Sequence, residues 1–195
     1  EGMQVAAMTA RYLEAHGCSC IIRPATSGTR EPFHHYTDIS GIPENVECVI
    51  VLGGDGTLLQ AARDVVSRQI PLLGINLGTL GYLAEIDRES IEPALNHLMA
   101  DEYMLESRMM LNGKVYHNGE VVAEDVALND IVIGRDGPLR VIGFNNYVNG
   151  EFLNAYKADG IIISTATGST GYSLSAGGPI VSPETNIMIM TPVEP

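Results

Sequence analysis

Apolar and polar positions alternate in two different rhythms along this chain. Up to about residue 104, short apolar runs are separated by segments whose apolar residues recur every three to four positions. That rhythm predicts a helix over residues 3–16, a strand at 18–22 ("CSCII") and a Thr/Ser/Gly/Pro-rich loop to about residue 45. There follow a strand at 48–52 ("CVIVL"), a helix at 57–69, a strand at 71–76 ("PLLGIN") and a helix at 90–102. Continuous apolar strands between amphipathic helices imply a parallel sheet covered on both faces.

From Leu105 the rhythm changes. Strand-forming residues flank Asn118-Gly119 and Asn149-Gly150, both strong hairpin signals, and "RDGP" at 135–138 marks a further turn. Several antiparallel strands are expected before Ile163. The chain is therefore read as an α/β N-terminal domain with a parallel sheet, residues 1–104, followed by a β-rich C-terminal domain, residues 105–195. Its first residues enter a helix part-way and it stops at "MTPVEP". An initial strand and a C-terminal portion are expected beyond its ends.

Composition narrows the function classes. The 45% hydrophobic content suits a globular protein, and no apolar stretch reaches the roughly 18 residues of a membrane span. No secretory signal is visible at the start. A net charge of −13 argues against nucleic acid or an anionic membrane as partner. Only three cysteines occur, Cys18, Cys20 and Cys48, too few for a disulfide framework, so a cytoplasmic setting is expected. Burial as small apolar side chains is the reading of Cys18 and Cys20. Solvent exposure rather than metal binding is the reading of His34 and His35. Lysine occurs only at 114 and 157, so a phosphate here must be held by backbone N–H groups, arginine or metal ions.

That constraint bears on "VIVLGGDGTLL", residues 49–59. A buried strand delivers Gly53, Gly54, Asp55, Gly56 and Thr57 to the C-terminal edge of the sheet, where open α/β folds bind ligands. Glycines permit positive φ and close approach of a ligand, and the following helix offers unpaired N–H groups to phosphate. The pattern is neither a P-loop nor G-x-G-x-x-G. Asp55 is the anomaly, because phosphate repels a carboxylate. It is a turn former or helix N-cap, a general base for a hydroxyl attacking phosphate, or a carboxylate that recruits metal.

A second unusual segment is "ADGIIISTATGSTGYSLSAGGPIV", residues 158–181. A strand at 161–165 runs into a stretch of Ser, Thr and Gly with Tyr172 as its only aromatic residue. Amides and hydroxyls with little bulk suit a polyhydroxylated or phosphorylated ligand, and apolar flanks argue against a linker. Asn129-Asp130 interrupts an apolar strand, and Asp159 precedes another; carboxylates there suit sugar hydroxyls.

Together "GGDGTLL", "NLGTLGYLAE", "LND" and the Thr/Ser/Gly segment resemble the signature segments of the NAD kinase family, in order, from about Cys48 to Val181. The glycine loop is shared with diacylglycerol, sphingosine and phosphofructokinases; the Thr/Ser/Gly segment is far more specific. The resemblance implies transfer of a phosphoryl group from ATP or polyphosphate, with Mg²⁺ or another divalent cation, to the 2′-hydroxyl of the NAD adenosine ribose. It implies that Asp55 accepts the proton, with Gly56 also touching NAD. It implies dinucleotide contacts at Asn129, Asp130, Arg140, Lys157, Asp159, Thr170, Gly171, Tyr172, Ser173, Leu174 and Ser175, with Tyr82 near the adenine. It further implies a homodimer or homotetramer. The chain departs from the family pattern in carrying Asp130 where Glu is frequent, Lys157 for arginine, Gly171 for alanine and Gln60 for a basic residue. These bear on donor affinity and dinucleotide selectivity rather than on reaction type. The alternatives are a lipid kinase sharing the glycine loop and a catalytically silent NAD(P)-binding module.

Overall fold

The computed structural model describes residues 2–23, 41–78, 81–135, 137 and 141–194. Arg140, His34, His35 and most of the loop expected before residue 45 lie outside them. The chain divides into two compact units, Glu1–Leu105 and Glu106–Pro195.

In the first unit, α1 (Gly2–Ala15) leads to β1 (Val49–Gly53), α2 (Asp55–Val65), β2 (Leu72–Asn76) and α3 (Ile91–Met99). β1 and β2 pair in parallel, with Ile50 opposite Leu73 and Leu52 opposite Ile75. Side chains alternate across such a pair, so each face takes its own cover. Ile50, Leu52 and Ile75 join Val5 and Leu13 of α1 and Ile91 and Leu95 of α3 in one core. On the opposite face Gly74 lies against Leu58 of α2, where a Cβ would stand 2.4 Å from the Leu58 Cδ1. Burying Ile75 and Leu95 completely stabilises the unit by about 1.5–3 kcal/mol each.

Three expected boundaries shift, each for a local reason. The strand expected at 18–22 is absent: the chain leaves α1 through a Schellman motif, with Gly17 at φ +89°. Cys18 N–H donates to Leu13 O and Gly17 N–H to Glu14 O. Cys18 and Cys20 then pack against the core while Ile21 is exposed, which is burial without a ladder. α2 starts at Asp55 and tightens into a 3₁₀ turn over Val66–Arg68, stopped by Gln69 at φ +52°. α3 ends at Met99, with Asp101 left-handed at φ +56° two residues on.

The second unit is β-rich. β3 (Leu111–His117) and β4 (Glu120–Ala127) form a hairpin, as do β6 (Ile142–Val148) and β7 (Glu151–Ala158). Asn118 and Gly119 have φ of +51° and +84°, and Asn149 and Gly150 +52° and +85°. Positive φ at both central residues is what a type I′ turn requires, which explains the Asn-Gly pairs. β5 (Asp130–Gly134), β8 (Gly160–Thr165) and β9 (Met188–Val193) form an antiparallel sheet with β8 central. β8 is buried almost throughout; at its C-terminal end come a 3₁₀ turn, Thr167–Thr170, and the short helix α4 (Tyr172–Ser175).

Candidate functional site

In the first unit the glycine loop lies at the C-terminal end of β1 and opens α2. None of Gly53, Gly54 and Gly56 has a positive φ among the described glycines that do, so the sequence argument from backbone freedom does not apply. Gly53 has no room for a side chain, since a Cβ would stand 2.5 Å from the Thr57 Oγ1. Gly54 and Gly56 are exposed, and a Cβ on either would meet nothing within 4 Å. Among the described residues their bareness serves no packing, and it suits close approach of a ligand.

Asp55 is the first residue of α2, after an N-cap at Gly54 with no side-chain cap bond. It is thus not the N-cap. Its carboxylate instead reaches across to residues 81–83: Oδ2 accepts the Tyr82 N–H at 2.8 Å and Oδ1 the Leu83 N–H at 3.1 Å. Gly81 makes room for this, for a Cβ there would stand 2.2 Å from the Asp55 Oδ1. Gly81 and the two amides are site features the sequence reading missed; the signal was the glycine directly before Tyr82. Tyr82 itself is 77% exposed. Gln60 turns inward, donating to Asp64 Oδ1 at 3.1 Å and accepting from Arg63 Nη1 at 3.0 Å.

In the second unit, Asn129, in the link from β4 to β5, and Asp130, the first residue of β5, face the turn after β8. Gly168 touches this connection so closely that a Cβ would lie 2.2 Å from Asn129 O. A Cβ at Gly171 would lie 3.5 Å from Asn129 Nδ2 and 3.9 Å from Asp130 Oδ2, so the structure brings Asn129, Asp130 and Gly171 together. Asn129 Oδ1 is buried and finds no hydrogen-bond partner among the described residues, and Asp130 is half-buried. Burial pushes the Asp130 carboxyl above its ordinary range, because desolvation disfavours the charged form. An unpaired amide oxygen beside a desolvated carboxylate is a costly pair that a ligand with hydroxyl or amide donors would satisfy.

The remaining candidates divide. Thr170 and Gly171 are partly exposed and Tyr172, Leu174 and Ser175 exposed on the same turn. Ser173 is fully buried, its hydroxyl 2.9 Å from that of Thr191 on β9, so it braces the turn from inside. Asp159 lies between β7 and β8 and pairs with Arg135 at 2.8 Å, a partner the sequence reading missed. Lys157 lies exposed on β7, opposite Gly143. Among the described residues no three His, Cys, Asp or Glu gather into a set able to hold a metal. Nor, among them, is any helix long and apolar enough to cross a membrane.

A parallel βα unit with a glycine loop at its helix start, followed by a β-rich unit with a hydroxyl-lined turn, defines a two-part class of protein. Residues 2–103 match the family model described as ATP-NAD kinase N-terminal domain, and residues 128–195 that described as ATP-NAD kinase C-terminal domain. The chain is 50% identical over 186 residues to the NAD kinase of Lachnospira eligens, covering 95% of this chain and 64% of that protein. It resembles the yeast NADH kinase complexed with NADH at 33% identity and a TM-score of 0.72, over 78% of this chain and 47% of that one. It also resembles an NAD kinase from Archaeoglobus fulgidus in complex with ATP, at 31% identity and a TM-score of 0.66, over 78% and 58%. The chain belongs to the NAD kinase family.

Proposed function

We propose that the protein of which this chain is part phosphorylates the 2′-hydroxyl of the NAD adenosine ribose, with ATP or another phosphoryl donor, to give NADP. The observation that carries this reading is the Asp55 carboxylate at the head of α2, held by two amides and flanked by the bare glycines 54 and 56. A carboxylate has about four acceptor sites, so two amides leave room for a hydroxyl proton. In the proposed step Asp55 takes the 2′-hydroxyl proton as the ribose oxygen bonds to the terminal phosphorus. The bond from that phosphorus to the bridging oxygen breaks, and the diphosphate leaves with its electron pair. Amides of residues 54–56 at the start of α2 hold donor phosphate, the Thr57 N–H being already bonded to Gly54 O. A divalent cation would arrive on the donor's phosphates, as Mg²⁺ commonly does.

Dinucleotide recognition is assigned to Gly56 beside Asp55 and, for the greater part, to residues 105–195: Asn129 and Asp130 to ribose hydroxyls, Thr170–Ser175 and Asp159 to the remaining polar groups, Lys157 and Arg140 to charge, with Ser173 acting through the backbone. Tyr82 is assigned to the adenine. A homodimer or homotetramer in the cytoplasm completes the reading; exposed Tyr147 and Phe152, edge-on at 5.6 Å, supply apolar surface for such contacts.

The test is incubation of the full-length protein with NAD, ATP and Mg²⁺ and assay for NADP. Formation of NADP is the expected result. Phosphorylation of a diacylglycerol but not of NAD would move the protein to the lipid kinases, and tight NAD binding without turnover would make it a silent binding module.

A further inference from the structure

The Thr165 side chain ends β8 at the foot of the hydroxyl-lined turn. It is 0% exposed, yet it carries a hydroxyl where the preceding strand carries isoleucines. That hydroxyl donates toward Leu128 O at 2.6 Å, with Asn129 O at 3.2 Å sharing the proton. It also accepts the Gly168 N–H at 3.0 Å. The Thr165 N–H adds a bond of 2.8 Å to Asn129 O. One buried side chain therefore ties the backbone of 128–129 to the Gly168 amide in the turn at 167–170.

We infer that Thr165 is a positioning residue for the dinucleotide, setting the distance between Asn129-Asp130 and the turn that ends at Gly171. The inference rests on the proposed assignment of Asn129, Asp130 and Gly171 to NAD. Close fit makes the tie consequential: Gly168 already leaves no space against Asn129 O, and the 171 position lies within van der Waals reach of both polar side chains. Shape alone does not account for the residue, because valine fills the same volume and suits a strand end equally well. The hydroxyl costs desolvation unless it is bonded, and here it satisfies three backbone groups at once. Ser164 bonds weakly to the same carbonyl, Asn129 O at 3.3 Å, and donates more closely to Thr165 O at 2.9 Å, so it does not duplicate the tie.

The test compares Thr165→Val and Thr165→Ser in the full-length protein, reading Kd for NAD, KM for NAD and for ATP, kcat, and hydrogen exchange at the Gly168 amide. Thr165→Val removes the hydroxyl with little change of shape. It should weaken NAD binding by about tenfold or more and speed exchange at Gly168, with KM for ATP unchanged. Thr165→Ser keeps the hydroxyl and should restore NAD binding to within roughly threefold of the wild type. Should the valine protein not fold, Thr165→Cys, with a longer and weaker hydrogen-bonding group, should show the same rise in Kd. A folded valine or cysteine variant with wild-type Kd for NAD would overturn the inference, as would a serine variant as weak as the valine one. Failure of the underlying assignment looks different: the wild-type protein itself would then neither bind NAD nor convert it.

Discussion

Asp55 holds two backbone amides and is also the proposed base, so its substitutions must be read on both counts. Both carboxylate oxygens accept a backbone amide, from Tyr82 and from Leu83. Asparagine offers one acceptor oxygen, so Asp55→Asn removes the proposed base and also leaves one amide facing an NH₂ group. Loss of a general base costs about 10² to 10⁴ in rate, and we predict a fall of kcat in that range with far smaller change in NAD affinity. Gly81→Ala approaches the same carboxylate from the other side, since its Cβ would stand 2.2 Å from Asp55 Oδ1. It should lower kcat by about tenfold or more while the fold survives, because only a side chain has to move. Near-wild-type kcat in both variants would return Asp55 to a purely structural role.

Asp130 gives a pH signature. Burial raises its carboxyl in the folded state above its unfolded value, so the folded protein holds this proton more tightly than the unfolded chain. The group therefore costs stability above its folded titration range, and the cost vanishes as pH falls below the unfolded value. Asp130→Asn should make the protein more stable at neutral pH, a gain that shrinks on acidification in denaturant titrations. The same change should weaken NAD binding by about 10- to 100-fold, through loss of charged acceptors for hydroxyls. A variant that gained no stability at neutral pH would show that the carboxylate is already compensated there.

At the scale of elements, the hydroxyl-lined turn is built by contact between backbones. Gly168 faces the carbonyl of Asn129, which is main chain and cannot swing aside. Gly168→Ala should cost about 1–3 kcal/mol, measured by chemical denaturation, the usual penalty for overpacking a filled site. The hairpin turns were legible in the sequence because Asn-Gly answers a local demand for positive φ. The parallel pair β1–β2 was legible because both of its faces are apolar. Helix ends were less so: Gln69 and Asp101 stop their helices in left-handed conformations that no glycine announced. The false strand at 18–22 shows that a short apolar run signals burial, and a ladder also needs a partner. In the candidate site, the residues proposed to present chemistry were those singled out from the sequence. Those that hold them, Gly81, Arg135, Thr165 and Thr191, were not, because their partners are distant along the chain.

At the scale of the whole molecule, the chain spans 64% of the length of the relative from Lachnospira eligens, and each unit carries a different share of the proposed chemistry. Both lysines, at 114 and 157, fall in the second unit. Ligand protection should follow the same division. Saturating NAD should slow amide exchange across β5 and residues 165–175, while α1 and α3, which carry no assigned contact, keep their rates. Uniform protection of both units would argue for a ligand-driven tightening of the whole fold instead.

The contact between Asp55 and Gly81 links two positions that lie 26 residues apart along the chain. Neither makes sense without the other, since the carboxylate needs the vacancy and the vacancy is useful only with the carboxylate. In a set of relatives the two positions should therefore drift as a couple. Transplanting the glycine loop alone into another parallel βα unit would leave its aspartate without a seat.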